Sequence, residues 1–182
     1  MHAATTSTSR APQPTRQLTD QVVPAVRGEF YGYETRFSTT RPLFALMKCR
    51  ANKDRTPSFA AHYAHEVDLT IIFEPIVRAC SPSAAPSVEL LADIVNRDAL
   101  NQTLIAPTGL SLESFNQIRQ KKNGDTLAQI ARTLTSSAGA DIMPLKTGTV
   151  YAVTTKSGKY GLFHVTEVTP TTVAITACHI LL

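Results

Sequence analysis

No stretch of this 182-residue chain approaches the run of about 20 apolar residues that a membrane-spanning helix needs. The longest apolar segments, such as Leu69 to Phe73, have the length of a strand. Cysteine is scarce. Cys49, Cys80 and Cys178 lie too far apart in sequence for any C-x-x-C pair, which removes the usual frame of a structural zinc site. Cys80 and Cys178 read as small buried hydrophobes, and one disulfide plus a free thiol is the other arrangement that three cysteines allow. Nothing repeats at a fixed period, so no solenoid or propeller is expected. A phosphate loop is missing too: Lys156-Ser157-Gly158-Lys159 has one glycine between two strand-like runs, whereas the true motif opens a helix. The opening segment MHAATTSTSRAPQPTR has no apolar core, so it does not read as an intact secretory signal. Two origins fit it: a cytoplasmic protein, or an exported one whose signal has been replaced by a short leader.

The composition itself, 43% hydrophobic and 18% charged, is that of a soluble globular protein with a proper core and a tail. Charge is uneven. Residues 1–55 carry nine Lys and Arg against four Asp and Glu, whereas residues 56–182 carry nine against ten. A basic front end thus precedes a nearly neutral body. Residues 1–27, rich in Thr, Ser, Ala and Pro, read as a disordered leader, and residues 28–182 as a single globular domain.

The clearest structural signal is Gly148 to Leu182, which reads as three successive strands, GTVYAVTTK, YGLFHVTEV and TVAITACHIL. Ser157-Gly158-Lys159 and Thr169-Pro170-Thr171 supply the turns, giving an antiparallel meander. Earlier, Glu29 to Tyr33 and Pro42 to Met47 read as strands, and EVDLTIIF (Glu66 to Phe73) as a covered, central one. The segment EPIVRACSPSAAP carries prolines 75, 82 and 86 and cannot be regular throughout. Three helices are expected. Ser87 caps one over Val88 to Leu100, Ser111 caps Leu112 to Gln120, and Asp125 caps one bearing Leu127, Ile130 and Leu134. Asn123-Gly124 reads as the stop of the second helix, with the glycine in the left-handed conformation. Strands, then two or three short helices, then strands predict an α+β fold whose mainly antiparallel sheet the helices cover.

Candidate chemistry is sparse. The densest cluster of ligand-capable groups is His62-Tyr63-Ala64-His65-Glu66-Val67-Asp68. On a helix, His62 and His65 share a face and, with Asp68 or Glu66, can hold a divalent metal; in extended chain the imidazoles diverge. The plain alternative is a polar lead-in to the buried strand. Lys48, Arg50, Lys53 and Arg55, near Phe44 and Phe59, form the best basic patch for a polyanion or other binding partner, although Asp54 interrupts it. Cys178 and His164 sit on adjacent strands, yet a nucleophile pair also needs an orienting group and a pocket. The carboxylates Glu74, Glu89, Asp93 and Asp98 offer no evident acid–base pair.

Taken in order, EVDLTIIF, NQTLIAPTGLSLESFNQI and GTVYAVTTKSGKYGLFHVTEVTP form a pattern within residues 66–170. It is similar to uncharacterised exported domains, often lipoproteins, of Bacteroidetes-type bacteria. Those show a "VD" strand, a "T…LS…F" start to a helix and a terminal GKYG hairpin, here Gly158-Lys159-Tyr160-Gly161. The resemblance implies a secreted or surface-attached, non-enzymatic β-rich module and carries no catalytic residue over. This chain departs from it in having no lipobox cysteine near its start. The expected function is therefore a non-catalytic binding or structural module at a bacterial envelope, without cofactor. Its partner is an unknown protein or glycan, met at an edge strand or at the loops around residues 50–62 and 75–86. The alternatives are a metal-dependent enzyme using His62, His65 and Asp68, and a nucleic-acid binder using the basic front end.

Overall fold

Alternation of Phe, Tyr, Val, Ile and Thr with polar residues is realised as two antiparallel sheets lying face to face. The computed structural model describes residues 28–40, 43–44, 67–84 and 100–181. The larger sheet has the strand order β1-β9-β8-β7-β5, formed by β1 (Glu29–Ser38), β9 (Thr172–Leu181), β8 (Tyr160–Val168), β7 (Val150–Thr155) and β5 (Thr103–Pro107). The smaller has the order β2-β3-β4-β6, formed by β2 (Leu43–Phe44), β3 (Leu69–Ile72), β4 (Arg78–Cys80) and β6 (Ile142–Pro144). Two helices, α1 (Leu112–Gln120) and α2 (Gly124–Ala138), pack on the other face of the larger sheet. The fold is α+β with mainly antiparallel sheet, as the order of elements predicts.

The larger sheet is thus covered twice, and its strands show it. β7 reads Val-Tyr-Ala-Val-Thr-Thr, and of these six residues only Thr154 is more than slightly exposed. Even-numbered Val150, Ala152 and Leu162 meet Phe115, Leu127 and Ala131 of the helices. The opposite face sends Tyr151, Val153, Phe163 and Val165 toward Leu69, Ile71 and Ala79 of the smaller sheet. Tyr151 and Phe163 stack with ring centroids 5.2 Å apart, a geometry that adds to simple burial. Fully burying each such side chain contributes on the order of 1.5–3 kcal/mol.

The meander appears where it is expected, with Gly158 at φ 84° in the β7–β8 turn. Thr169 closes the β8–β9 turn through Thr172, whose amide donates to its Oγ1 at 2.9 Å. Several details differ from the sequence reading. β1 runs on to Ser38, beyond Tyr33, because its ten residues pair continuously with β9. The chain then leaves for the other sheet, so β1 and β2 are not neighbours. β5 and β6 are five and three residues long, too short for a clear alternation, and the Pro-rich segment still yields β4 between its prolines. The proposed helix over Val88 to Leu100 lies outside the described residues save for Leu100, which is buried and non-helical.

The α1–α2 junction is a correction. Gly124 is not the left-handed stop; it is the first residue of α2, and a Cβ there would stand 3.0 Å from Ile180 Cδ1. Lys122 takes the positive φ, 50°. Its amide donates to Arg119 O at 3.3 Å and the Asn123 amide to Ile118 O at 3.0 Å, the pair of bonds of a Schellman closure. Asn123, not Asp125, then caps α2 by accepting from the Thr126 amide at 3.1 Å. Ser111 caps α1 as expected, accepting from the Ser114 amide. Because a side chain in the left-handed region costs about 1 kcal/mol relative to glycine, Lys122→Gly is expected to raise unfolding stability by about that amount in urea. A loss of stability in that variant sinks the assignment.

Candidate functional site

Asp68, the last residue before β3, is fully buried, and a carboxylate can be so only with partners. Lys159 and Asn101 supply them, and Thr103 holds the adjoining main chain. Lys159, in the β7–β8 turn of the other sheet, places Nζ 3.0 Å from both carboxylate oxygens. Asn101 Nδ2 donates to Oδ1 at 3.0 Å and to the Val67 carbonyl at 3.2 Å. Thr103 Oγ1 donates to the Asp68 carbonyl at 2.6 Å. The seam continues through Ser81, which follows β4. Its Oγ accepts from the Thr103 amide at 2.9 Å and pairs with Ser83 Oγ at 2.9 Å, and its amide donates to Asp141 O at 2.6 Å. Side chains thus join the ends of the two sheets, beside a backbone bond from the Ser83 amide to the Asn101 carbonyl at 3.3 Å.

The turn that carries Lys159 is itself fixed. Thr155 Oγ1 pairs with Ser157 Oγ at 2.8 Å and accepts from the Lys159 amide at 3.0 Å, so the lysine leaves the turn in a set direction. Beside it on β9, His179 is fully buried against Tyr31 (stacked, 5.2 Å) and Tyr33 (edge-on, 5.6 Å). Neither ring nitrogen has a hydrogen-bond partner among the described residues. Burial first, and the Lys159 charge second, push the imidazole down to about 4, so it is neutral at ordinary pH.

The other reactive groups are equally withdrawn. Cys178 faces the helices, fully buried, its thiol pushed up to about 12 chiefly by burial. His164 shares that face but pairs in register with Thr176, while Cys178 pairs with Leu162, so the two are diagonal neighbours. His164 instead lies against the Phe115 ring at 6.1 Å, and burial lowers its pKa. Cys80 is buried, with its thiol raised to about 11 by burial and its Sγ directed to the Ser81 carbonyl. Cys80 and Cys178 are both free thiols, one in each sheet. Of the metal trio, Asp68 is held by Lys159 and Asn101 as described; His62 and His65 lie outside the described residues, as do Lys48, Arg50, Lys53 and Arg55. Among the described residues no group of three His, Cys, Asp or Glu side chains could hold a metal, and no helix is long and apolar enough to cross a membrane.

Next to the seam, on the helix-facing side, β5 and β7 run past the end of α2 and leave a cleft of about 450 Å³. Its walls are Ser83, Gln102, Leu104, Asp141, Thr154, Thr155 and Lys156. Leu104 and Thr154 are paired residues of β5 and β7 and form the floor. Thr135 Oγ1 of α2 donates to Thr154 Oγ1 at 2.9 Å, and the Lys156 amide donates to the Gln102 carbonyl at 2.8 Å. The residues that build the seam and cleft, Asn101, Gln102, Ser81, Ser83 and Asp141, were not singled out as candidates from sequence. The available signal was Asp68 itself, a charge set into the run Val-Asp-Leu-Thr-Ile-Ile, which requires a partner.

Two measurements test the buried cluster. Lys159→Met takes the ammonium away from both oxygens of the buried Asp68 carboxylate and is expected to cost roughly 2–4 kcal/mol in urea. Adding Asp68→Asn should recover part of that loss; equal stability of Lys159→Met and the parent protein sinks the assignment. His179 binds its proton in the unfolded chain near pH 6.5 and in the folded chain near 4. Stability is therefore full above about pH 6.5 and falls toward pH 4, by at most about 3 kcal/mol. His179→Phe keeps the ring stacking, removes the orphan nitrogens and should flatten that slope; parallel pH profiles for both proteins refute it.

In fold, the chain is similar to a DUF4466 family protein from Parabacteroides merdae ATCC 43184, a crystal structure, with a TM-score of 0.57 and 12% identity. The match covers 85% of this chain and 55% of that one, so the chain spans about half of that protein's length. No protein-family model and no curated protein matches the sequence. Identity this low speaks for the fold alone, here shared with an uncharacterised Bacteroidetes protein.

Proposed function

We propose that this protein is a non-catalytic binding module associated with a bacterial envelope, recognising a protein or glycan partner with loops carried on a rigid double sheet. The observation that carries the reading is the state of the chemically capable groups among the described residues. Cys80, Cys178, His164 and His179 are buried with pKa values moved away from reactivity, and Asp68 is committed to Lys159 and Asn101. A nucleophile or general base needs access to substrate, and burial withdraws these groups from it. What faces solvent is the polar cleft beside the 75–84 segment, part of the loop region expected to carry recognition. The envelope location is supported by the resemblance of residues 66–170 to exported Bacteroidetes-type domains.

The reading is tested on the full chain with a panel of glycans and peptides, scored by thermal shift and by mass spectrometry of the recovered ligand. A stabilising ligand recovered unchanged supports a binding module. Conversion of that ligand to product overturns it. The metal-enzyme alternative through His62, His65 and Asp68 predicts stoichiometric metal by elemental analysis and a melting temperature that moves with zinc or chelator. Neither is expected, because both Asp68 oxygens already accept from Lys159. Protease treatment of intact cells, followed by detection of the chain, tests the envelope location; full protection in a cytoplasmic fraction overturns it.

A further inference from the structure

The cleft carries one carboxylate and one ammonium group, Asp141 and Lys156, both on exposed residues. Among the described residues neither side chain has an ion-pair or hydrogen-bond partner, and the two do not pair with each other. Opposite charges that share a wall without touching are separated by more than salt-bridge distance. They hold their backbone positions for other reasons. The Asp141 carbonyl accepts from the Ser81 amide, and the Lys156 amide is bonded to the Gln102 carbonyl, so each charge hangs from anchored chain. The same cleft is lined by Gln102, Ser83 and Thr154, with Leu104 about two-fifths exposed as apolar floor. A volume of about 450 Å³ is within the range of small-ligand sites, roughly 300–1,000 Å³.

We infer that this cleft binds a short peptide with free termini, its α-ammonium at Asp141, its carboxylate at Lys156, and a side chain on Leu104. This deepens the binding-module reading and rests on it. The ligand's own peptide group would meet Gln102, Ser83 and Thr154, which offer both donors and acceptors. A neutral ligand would use the hydroxyls and the amide but would leave both formal charges unmatched. Charge-assisted hydrogen bonds are the stronger kind, so a ligand that answers both signs gains most here. The partially exposed setting limits each charge contact to modest strength, which makes the site one of weak affinity.

The probe is the dipeptide Ala-Leu, titrated to millimolar concentration into isotope-labelled full chain and followed by amide chemical shifts. Saturable shifts are expected at Gln102, Leu104, Thr154 and Lys156. Acetylating the amino end or amidating the carboxyl end should each weaken binding about threefold to tenfold, in line with about 1 kcal/mol per contact. Asp141→Asn should reduce affinity for Ala-Leu without affecting the acetylated peptide, and Lys156→Met should do the same with respect to the amidated one. Both side chains are exposed, so an unchanged melting temperature confirms that the variants fold. Absence of saturable shifts at these amides, or equal binding of free and doubly blocked peptide, overturns the inference. Lactose or N-acetylglucosamine shifting the same amides where Ala-Leu does not also overturns it, while leaving the binding-module reading intact. Hydrolysis of Ala-Leu during the titration would defeat that reading instead.

Discussion

The buried ion pair between Asp68 and Lys159 is the constraint on which the arrangement of the two sheets turns. A charge at the start of β3 has no solvent, so the smaller sheet must sit where the β7–β8 turn can reach it. Desolvating a carboxylate costs several kcal/mol, and attraction in the interior repays it only with good geometry and further hydrogen bonds. Lys159 supplies two contacts and Asn101 a third, while Thr103 holds the adjoining carbonyl. Hydrophobic packing among Tyr151, Phe163, Leu69 and Ile71 supplies the larger share of cohesion, but it is non-directional. The ion pair fixes which end of one sheet lies over which end of the other.

That registration also shapes the cleft. Asn101, Gln102 and Thr103 are consecutive: the first bonds Asp68, the third bonds Ser81, and the middle one turns its side chain into the cleft. Ser81 bonds the Thr103 amide while Ser83 lines the cleft, and the Asp141 carbonyl accepts from the Ser81 amide. The seam that joins the sheets and the walls of the cleft are therefore the same short segments. A cleft built in this way is preorganised, its walls held by hydrogen bonds within the protein itself.

Much of the fold was legible locally. The meander was readable because each of its strands is long and rich in β-formers, and because Gly158 and Pro170 mark its turns. α1 was readable from Ser111 and the spacing of Leu112, Phe115 and Ile118. The helix junction was misread because glycine is the usual left-handed residue, yet here Lys122 takes that position while packing against Ile180 demands a small residue at 124. β5 and β6 stayed hidden because so few residues carry no period, and their strand character comes from the neighbours they pair with. The site was less legible still. Lys159 looked like turn chemistry and Asp68 like a metal ligand; each is the other's partner across 91 residues.

By itself, the sequence determined the elements whose signals are local: the antiparallel meander, α1 with its Ser111 cap, the body of α2, an apolar β3 and the α+β class. Periodicity and capping act over a few residues, so they can be read from a few residues. Tertiary structure alone decided that the strands divide into two sheets, that β1 pairs with β9, and that the charge of Asp68 is answered by Lys159. It also decided that Asp141 and Lys156 line one cleft. These are meetings between distant segments, chosen by the need to bury apolar faces and satisfy buried polar groups together, and no local pattern encodes them.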